Sequence, residues 1–141
     1  MVPLILAAAL GALMGLERSI AGKHAGMRTY ALVSLGSCLF TLVGVLASYP
    51  LSVFVGVNPM QLAGSVAIGI GFIGAGLTAL RSEEHVELTT TAGIWVVAAV
   101  GVACGLGFYS AAATTAVLSV LIFSIFLRVE NAIRHRWGGE Q

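Results

Sequence analysis

The feature that most constrains this chain is the length of its uncharged stretches. From Thr29 to Leu80, fifty-two consecutive residues include no Asp, Glu, Lys or Arg, and a second such stretch of forty runs from Leu88 to Leu127. A helix that crosses a bilayer needs only about 20 apolar residues, so both stretches are too long for core helices of a soluble domain. With 58% hydrophobic residues and a mean hydropathy of +1.00, the chain is predicted to be a polytopic protein of the lipid bilayer.

The length and the motif content limit the function classes. The 141 residues form one domain, and they lie almost wholly in apolar stretches or short connections, which leaves no room for a separate catalytic domain. The sequence contains no nucleophile elbow, phosphate loop or zinc spacing, so no enzyme activity and no cofactor are expected. Nucleic-acid binding is not expected either. Cys38 and Cys104 fall inside apolar spans as small hydrophobes, and no disulfide is predicted.

Helix-breaking residues divide each of the two uncharged stretches into two helices, and the uncharged residues before Glu17 provide a fifth helix at the start of the chain. Pro50 and the pair Asn58-Pro59 interrupt the first stretch, and Gly105 and Gly107 interrupt the second. Asn58 is predicted to cap the third helix, with Pro59 at its first position. The predicted fold is an all-α transmembrane bundle over residues 1–141, with helices at 2–18, 29–48, 59–80, 89–105 and 108–127 and a tail at 128–141.

The positions of the basic residues predict the orientation of these helices. With five spans, all seven Lys and Arg residues fall on one side of the membrane. Cytoplasmic connections carry an excess of Lys and Arg. The N-terminus is therefore predicted outside and the C-terminal tail in the cytoplasm, with Tyr30 at the inner interface and Tyr49 and Tyr109 at the outer one.

Small residues at helical spacing predict where helices pack closely, because in lipid such packing is a main source of helix association. They are Gly11, Gly15, Gly101 and Gly105, together with a dense run on the third helix at Gly69, Gly71, Gly74 and Gly76. Contacts within one chain and an oligomer or partner interface both fit this pattern. The run predicts a central third helix packed on the fourth helix and its Gly93, Gly101 and Gly105. Replacing Gly71 or Gly74 with leucine is expected to destabilise the monomer or displace a partner helix, whereas leucine at Ala116 is expected to have a mild effect.

Two connections concentrate charge. Glu17 and Arg28 bracket two antiparallel helix ends and can form an ion pair there, since unpaired charge at the membrane edge is costly. Topology signals alone explain Arg18, Lys23 and Arg28 equally well.

The other charged connection gathers carboxylates around an imidazole, and hard cations favour carboxylate oxygens. A solvated turn fits it equally well, so no metal site is predicted. The weak candidate ligands are Glu83, Glu84, His85 and Glu87.

Four segments occur in a fixed order along the chain: GLER at 15–18, AGMRTYALV at 25–33, GIGFIGAG at 69–76 and LTTTAGIWVVAA at 88–99. Together they resemble the signature blocks of the membrane domain of the MgtC/SapB family. Polar residues within these blocks form the candidate functional motif, which is Glu17, Arg18, Arg28, Thr29, Thr89 and Thr90.

The resemblance implies a helical protein of the bacterial inner membrane with no established enzyme activity. The family's best-known members are linked to growth in low magnesium, survival inside host phagocytes and restraint of the F-type ATP synthase. At the start of the third helix the family pattern often has an acidic residue, then Pro, then Arg, whereas this chain has Asn58-Pro59-Met60-Gln61. It also carries Glu87 where several members carry Gly. It ends at Gln141 without the C-terminal soluble domain of virulence-type members, which favours a shorter SapB-like member.

Two functions are compatible with these observations. The first is a non-enzymatic regulatory protein that contacts other membrane proteins through small-residue helix faces. The F-type ATP synthase, by resemblance, and a homo-oligomer are its candidate partners. The second is a transporter or channel for a cation such as Mg²⁺, formed by an oligomer. Mg²⁺ is usually held by carboxylates and retained water, and the predicted membrane interior has no acidic residue, so the first function is preferred.

Overall fold

The computed structural model of this chain describes residues 1–51, 58–79 and 88–137. Over these ranges the regular structure consists of helices, which are α1 (Val2–Ile20), α2 (Met27–Leu51), α3 (Pro59–Ala79), α4 (Leu88–Gly105) and α5 (Tyr109–Trp137). Each of the five includes a segment long and apolar enough to cross a membrane. The predicted number and order of helices are confirmed.

The predicted helix-breaking residues lie at the observed helix ends. The Asn58 side-chain oxygen accepts a hydrogen bond from the Met60 backbone N–H at 2.9 Å, and Pro59 is the first residue of α3. This pairing satisfies one of the backbone donors that every helix leaves open at its N-terminus. Between α4 and α5, Gly107 has a φ of 82°, a left-handed conformation that glycine adopts without strain.

The last helix is longer than the sequence predicted. α5 continues to Trp137, whereas the prediction ended it at residue 127 and treated the remainder as a tail. Hydropathy marks where a helix leaves the hydrocarbon, and the residues after Leu127 include good helix formers such as Arg and Glu that can continue the helix into water. The end of the apolar stretch was therefore a poor guide to the end of this helix.

The connection between α1 and α2 is held by a cap that crosses it. The Ser19 hydroxyl oxygen, near the end of α1, accepts a hydrogen bond from the Met27 N–H, the first residue of α2, at 2.9 Å. Gly22 makes the reversal with a φ of 68°. These features fix the two helices as an antiparallel hairpin and set the position of the polar residues at this end of the bundle.

The central helix of the bundle is α4, which contacts each of the other four helices. Its fully buried side chains include Ile94, Val97 and Cys104. Within the described part of the chain α3 contacts only α2 and α4, so the prediction that α3 is central is wrong. Glycines permit close approach, but their number on one helix does not determine how many neighbours that helix has.

Large apolar side chains cover the outer surface of the bundle. Ile68 and Phe72 of α3 and Leu118 and Ile122 of α5 are all exposed. Such a surface would be unfavourable in water but matches the hydrocarbon of a bilayer. Ala116 of α5, in contrast, is completely buried, so the expectation that leucine is mild at this position is wrong.

Candidate functional site

Glycines of α1 allow the hairpin to close tightly. A Cβ atom on Gly11 would lie 2.6 Å from the Tyr30 carbonyl oxygen, and one on Gly15 would lie 2.6 Å from the Met27 Cα. Real side chains do not come this close, so these positions need glycine for the observed approach of α1 to α2. These two glycines therefore serve contacts within the chain.

The other predicted packing glycines divide into two groups. On α4, a Cβ on Gly101 would overlap the Ser34 carbonyl oxygen, and one on Gly105 would lie 2.6 Å from the Thr41 Cβ. On α3, a Cβ on Gly74 would lie 2.8 Å from the Thr91 Cγ2. The other glycines of the predicted run have no described atom within 4 Å of an added Cβ, which contradicts close packing of the whole run inside this chain; they are Gly69, Gly71 and Gly76.

A buried arginine lies where α1 meets α5. Arg18 is only 2% exposed, and its guanidinium carbon lies 4.1 Å from the centre of the Phe123 ring. Its Nε donates a hydrogen bond to Glu17 Oε2 at 2.6 Å. A stacked guanidinium with a carboxylate partner is among the few arrangements in which a charge is tolerated away from water.

A buried tyrosine of α2 lies close to the same contact between α1 and α5. Tyr30 is fully buried, and its hydroxyl donates a hydrogen bond to the Thr90 carbonyl oxygen at 3.3 Å. The hydroxyl occupies the space that a side chain on Gly93 would need, and the Phe123 ring tip lies 2.8 Å from that same space. We call this cluster, Arg18, Tyr30, Thr90, Gly93 and Phe123, the Arg18 junction. In this cluster α1, α2, α4 and α5 meet, and they can do so because Gly93 has no side chain.

A small cavity lies beside the Arg18 junction, and we call it the polar cavity because five of its seven lining residues are Thr or His. Its volume is about 110 Å³. This volume is sufficient for a few water molecules, each of which needs roughly 10–15 Å³ of such space. The lining residues are His24, Ala25, Thr29, Leu77, Thr78, Thr90 and Thr91.

The polar cavity lies at one end of the bundle, which we call the polar end. It brings together the α1–α2 connection, the end of α3 and the start of α4. A groove between α1 and α5 is lined by both Glu17 and Arg128, which places the charged part of α5 at this end as well. Arg18, Lys23, Arg28 and Arg128 therefore lie toward one end of the bundle.

The sequence prediction of an ion pair between Glu17 and Arg28 is wrong. Glu17 is paired with Arg18, its neighbour in sequence, and Arg28 is exposed. Adjacent residues on a helix point in different directions, so the guanidinium has to curl back toward the carboxylate, an option that spacing rules for helix faces do not consider. Of the other motif residues, Thr29 and Thr90 line the polar cavity, and Thr89 is exposed.

The weak metal candidates, Glu83, Glu84, His85 and Glu87, lie outside the described residues. Within the described ranges, no group of three or more His, Cys, Asp or Glu side chains could hold a metal ion.

Sequence reasoning missed the residues that complete the Arg18 junction. Tyr30 was predicted at the membrane interface but is buried, and Phe123 was not singled out. Gly93 was expected to contact α3, yet its neighbours are Tyr30 of α2 and Phe123 of α5. The available signal was weak: an aromatic residue within an apolar helix looks the same whether it faces lipid or an arginine.

Comparisons with known proteins match most of this chain. The sequence profile of the MgtC family matches residues 4–132. The chain is 42% identical over 125 residues to the Escherichia coli K12 protein named "Putative magnesium transporter YhiD". It is 36% identical over 125 residues both to protein SapB of Bacillus subtilis and to protein MgtC of Salmonella typhimurium.

These alignments cover 87%, 86% and 89% of this chain but only 58%, 53% and 51% of the three relatives. The chain thus spans little more than half the length of each relative. No solved structure matches.

The residues matched by the family profile include every member of the Arg18 junction. Five helices apolar enough to span a bilayer and this match identify a multi-pass membrane protein. The chain belongs to the MgtC family.

Proposed function

We propose that this protein is a non-enzymatic regulator of the bacterial inner membrane that acts by contacting other membrane proteins. The observation that carries the proposal is the outward face of α3. Gly64 and Gly71 are exposed, and no described atom lies within 4 Å of the point where a side chain would begin on either. Seven residues apart, they lie on the same face of the helix.

Unpacked glycines on a membrane helix need an explanation. Each costs roughly 1 kcal/mol of helix stability relative to alanine. In lipid the compensating gain comes from close approach of another helix backbone, as it does for Gly11 and Gly15 within this chain. Because nothing in the described part of the chain approaches Gly64 or Gly71, a helix of another molecule is the proposed source of that gain.

The outward face predicts the effect of a bulky side chain. Gly71→Leu is expected to leave the melting temperature in detergent unchanged or slightly raised, since leucine favours the helix and meets open space. Crosslinking to a partner helix in membranes should fall about fivefold or more, because overpacking a close contact costs roughly 1 kcal/mol or more. Gly69→Leu is the matched control, since Gly69 is equally open but lies toward α2. Equal crosslinking in wild type and Gly71→Leu would contradict the proposal.

Two partners are proposed: a second copy of this chain and, by family resemblance, the F-type ATP synthase. Crosslinked species of twice the chain mass would indicate the first. For the second, ATP synthesis by membrane vesicles should be lower with the wild-type protein than with Gly71→Leu at equal expression. Identical ATP synthesis in both preparations would rule out this face as the contact with the synthase.

We further propose that the basic end of the bundle faces the cytoplasm, with the N-terminus outside. The support is the clustering of Arg18, Lys23, Arg28 and Arg128 at one end, since cytoplasmic connections are enriched in basic residues. The opposite end carries Asn58 and Phe108, which are uncharged.

Cysteine labelling tests this orientation. In a background with alanine at Cys38 and Cys104, an impermeant thiol reagent added to spheroplasts should label Phe108→Cys and not Ile20→Cys. Both positions are exposed and lie at opposite ends of the bundle. Inside-out vesicles should give the reverse pattern. Labelling of Ile20→Cys in spheroplasts would show that the proposed orientation is inverted.

The alternative function is transport of a cation such as Mg²⁺ by an oligomer. It is supported by the name of the Escherichia coli relative, which mentions magnesium transport. Mg²⁺ keeps several water molecules and prefers carboxylate ligands, whereas the polar cavity offers hydroxyls and one imidazole. Protein-dependent Mg²⁺ flux into liposomes that contain only the purified protein would favour transport over regulation.

A further inference from the structure

An open apolar cleft separates α2 from α3. Its volume is about 600 Å³. One wall follows successive turns of α2 at Leu32, Gly36 and Phe40, and the facing wall includes Gly69 and Ile73 of α3. No described atom lies within 4 Å of the position that a Cβ atom would take on either Gly36 or Gly69, so these two glycines leave the middle of the cleft empty.

The dimensions of the cleft match one lipid chain. Leu32 and Phe40 are eight residues apart, or about 12 Å along the helix axis at a rise of about 1.5 Å per residue. One leaflet occupies about half of the roughly 30 Å hydrocarbon core. The volume also falls within the range of about 300–1,000 Å³ typical of sites for small ligands. The cleft is therefore as long as most of one acyl chain.

One end of the cleft leads to the polar end of the bundle. A helical turn beyond Val33 and Ile73, which line the cleft, lie Thr29 and Leu77, which line the polar cavity together with His24. Arg28 is exposed beside Thr29. A molecule seated in the cleft would thus have its apolar part between α2 and α3 and its end next to Thr29 and His24, with Arg28 as the next residue along the chain from Thr29.

We propose that the α2–α3 cleft binds one acyl chain of an anionic phospholipid, whose phosphate is held by Thr29, His24 and Arg28. Every membrane lipid has acyl chains, and moving one from bilayer to cleft yields little hydrophobic free energy. Preference for a particular lipid must therefore come from the headgroup. Hydroxyl and guanidinium groups donate hydrogen bonds to phosphate oxygens, and a basic residue near the surface favours an anionic headgroup. This inference is independent of the proposed regulatory role.

Native mass spectrometry of the purified protein in mild detergent tests the headgroup preference. Phosphatidylglycerol should be retained about fivefold better than phosphatidylcholine with the same chains, since one basic residue contributes about 1 kcal/mol. Arg28→Gln should reduce this preference toward equality and leave phosphatidylcholine retention unchanged. Equal retention of the two lipids by the wild-type protein would overturn the proposal.

A matched pair of leucine variants tests the cleft itself. Gly69→Leu fills the cleft and should lower retention of both lipids about tenfold, because overpacking a filled site costs roughly 1–3 kcal/mol. Gly71→Leu, two residues away on the outward face, should retain lipid as the wild-type protein does. Gly36→Leu fills the cleft from α2 and should reproduce the Gly69→Leu result. Melting temperatures close to wild type would show that the variants are folded.

Two outcomes would refute the acyl-chain site. One is unchanged lipid retention in both Gly69→Leu and Gly36→Leu. The other is a dimer in the mass spectrum that Gly69→Leu abolishes while lipid retention persists, which would assign the cleft to a protein partner.

Discussion

Replacement of Arg18 with methionine is expected to lower the free energy of unfolding by about 3 kcal/mol. Methionine approximates the length of the arginine stem and fills irregular space, so little packing volume is lost. It removes the guanidinium that lies 4.1 Å from the Phe123 ring centre and leaves the Glu17 carboxylate, whose side chain is only 14% exposed, without its partner. The unfolding midpoint in mixed micelles, with increasing denaturing detergent, is the measurement.

Three further variants separate the effects at Arg18: Glu17→Gln alone, Glu17→Gln together with Arg18→Met, and Arg18→Lys. Glu17→Gln together with Arg18→Met should be more stable than Arg18→Met alone, because no unpaired carboxylate remains. Arg18→Lys keeps the charge but loses the planar stacking group, so a loss of about 1 kcal/mol is expected. If Arg18→Met matched the wild type, or if the effects at Glu17 and Arg18 were additive, the ion pair would have no structural importance.

The sequence predicted most of the fold because the bilayer imposes a strong length requirement. Two uncharged stretches of known length, interrupted by Asn58-Pro59 and by Gly107, leave few ways to place the last four spans, and the apolar residues before Glu17 are just long enough for the first. The cap at Asn58 and the turn at Gly107 depend only on neighbouring residues, and both were predicted where they occur. Local chemistry was sufficient for these features.

The candidate site was harder to predict because it depends on which helices are neighbours. Arg18 was recognised as part of a motif, but its stacking on Phe123 joins residues more than one hundred positions apart. Gly71 and Gly93 look alike in the sequence, yet one faces open space and the other accommodates a tyrosine hydroxyl. Whether a glycine is open or packed depends on which helices are neighbours, and hydropathy patterns do not encode that arrangement.

A single methyl group at Gly93 is expected to cost about 2 kcal/mol or more, since overpacking a tight core typically costs 1–3 kcal/mol. Its Cβ would overlap the Tyr30 hydroxyl and lie 2.8 Å from the Phe123 ring tip. To accommodate it, the hydroxyl must leave the Thr90 carbonyl oxygen, or the ring must move from Arg18. Helix propensity alone would favour alanine by up to about 1 kcal/mol, so net destabilisation would mark a steric conflict.

Removal of the tyrosine hydroxyl gives this prediction its sharpest test. Tyr30→Phe alone should cost about 1 kcal/mol for the lost hydrogen bond. Combined with Gly93→Ala it should cost clearly less than the sum of the two single changes, because the atom nearest to the new methyl group is gone. Gly71→Ala, where the added atom meets open space, is the control and should not destabilise the protein. Additive effects of Gly93→Ala and Tyr30→Phe would mean that the hydroxyl does not occupy the space beside Gly93.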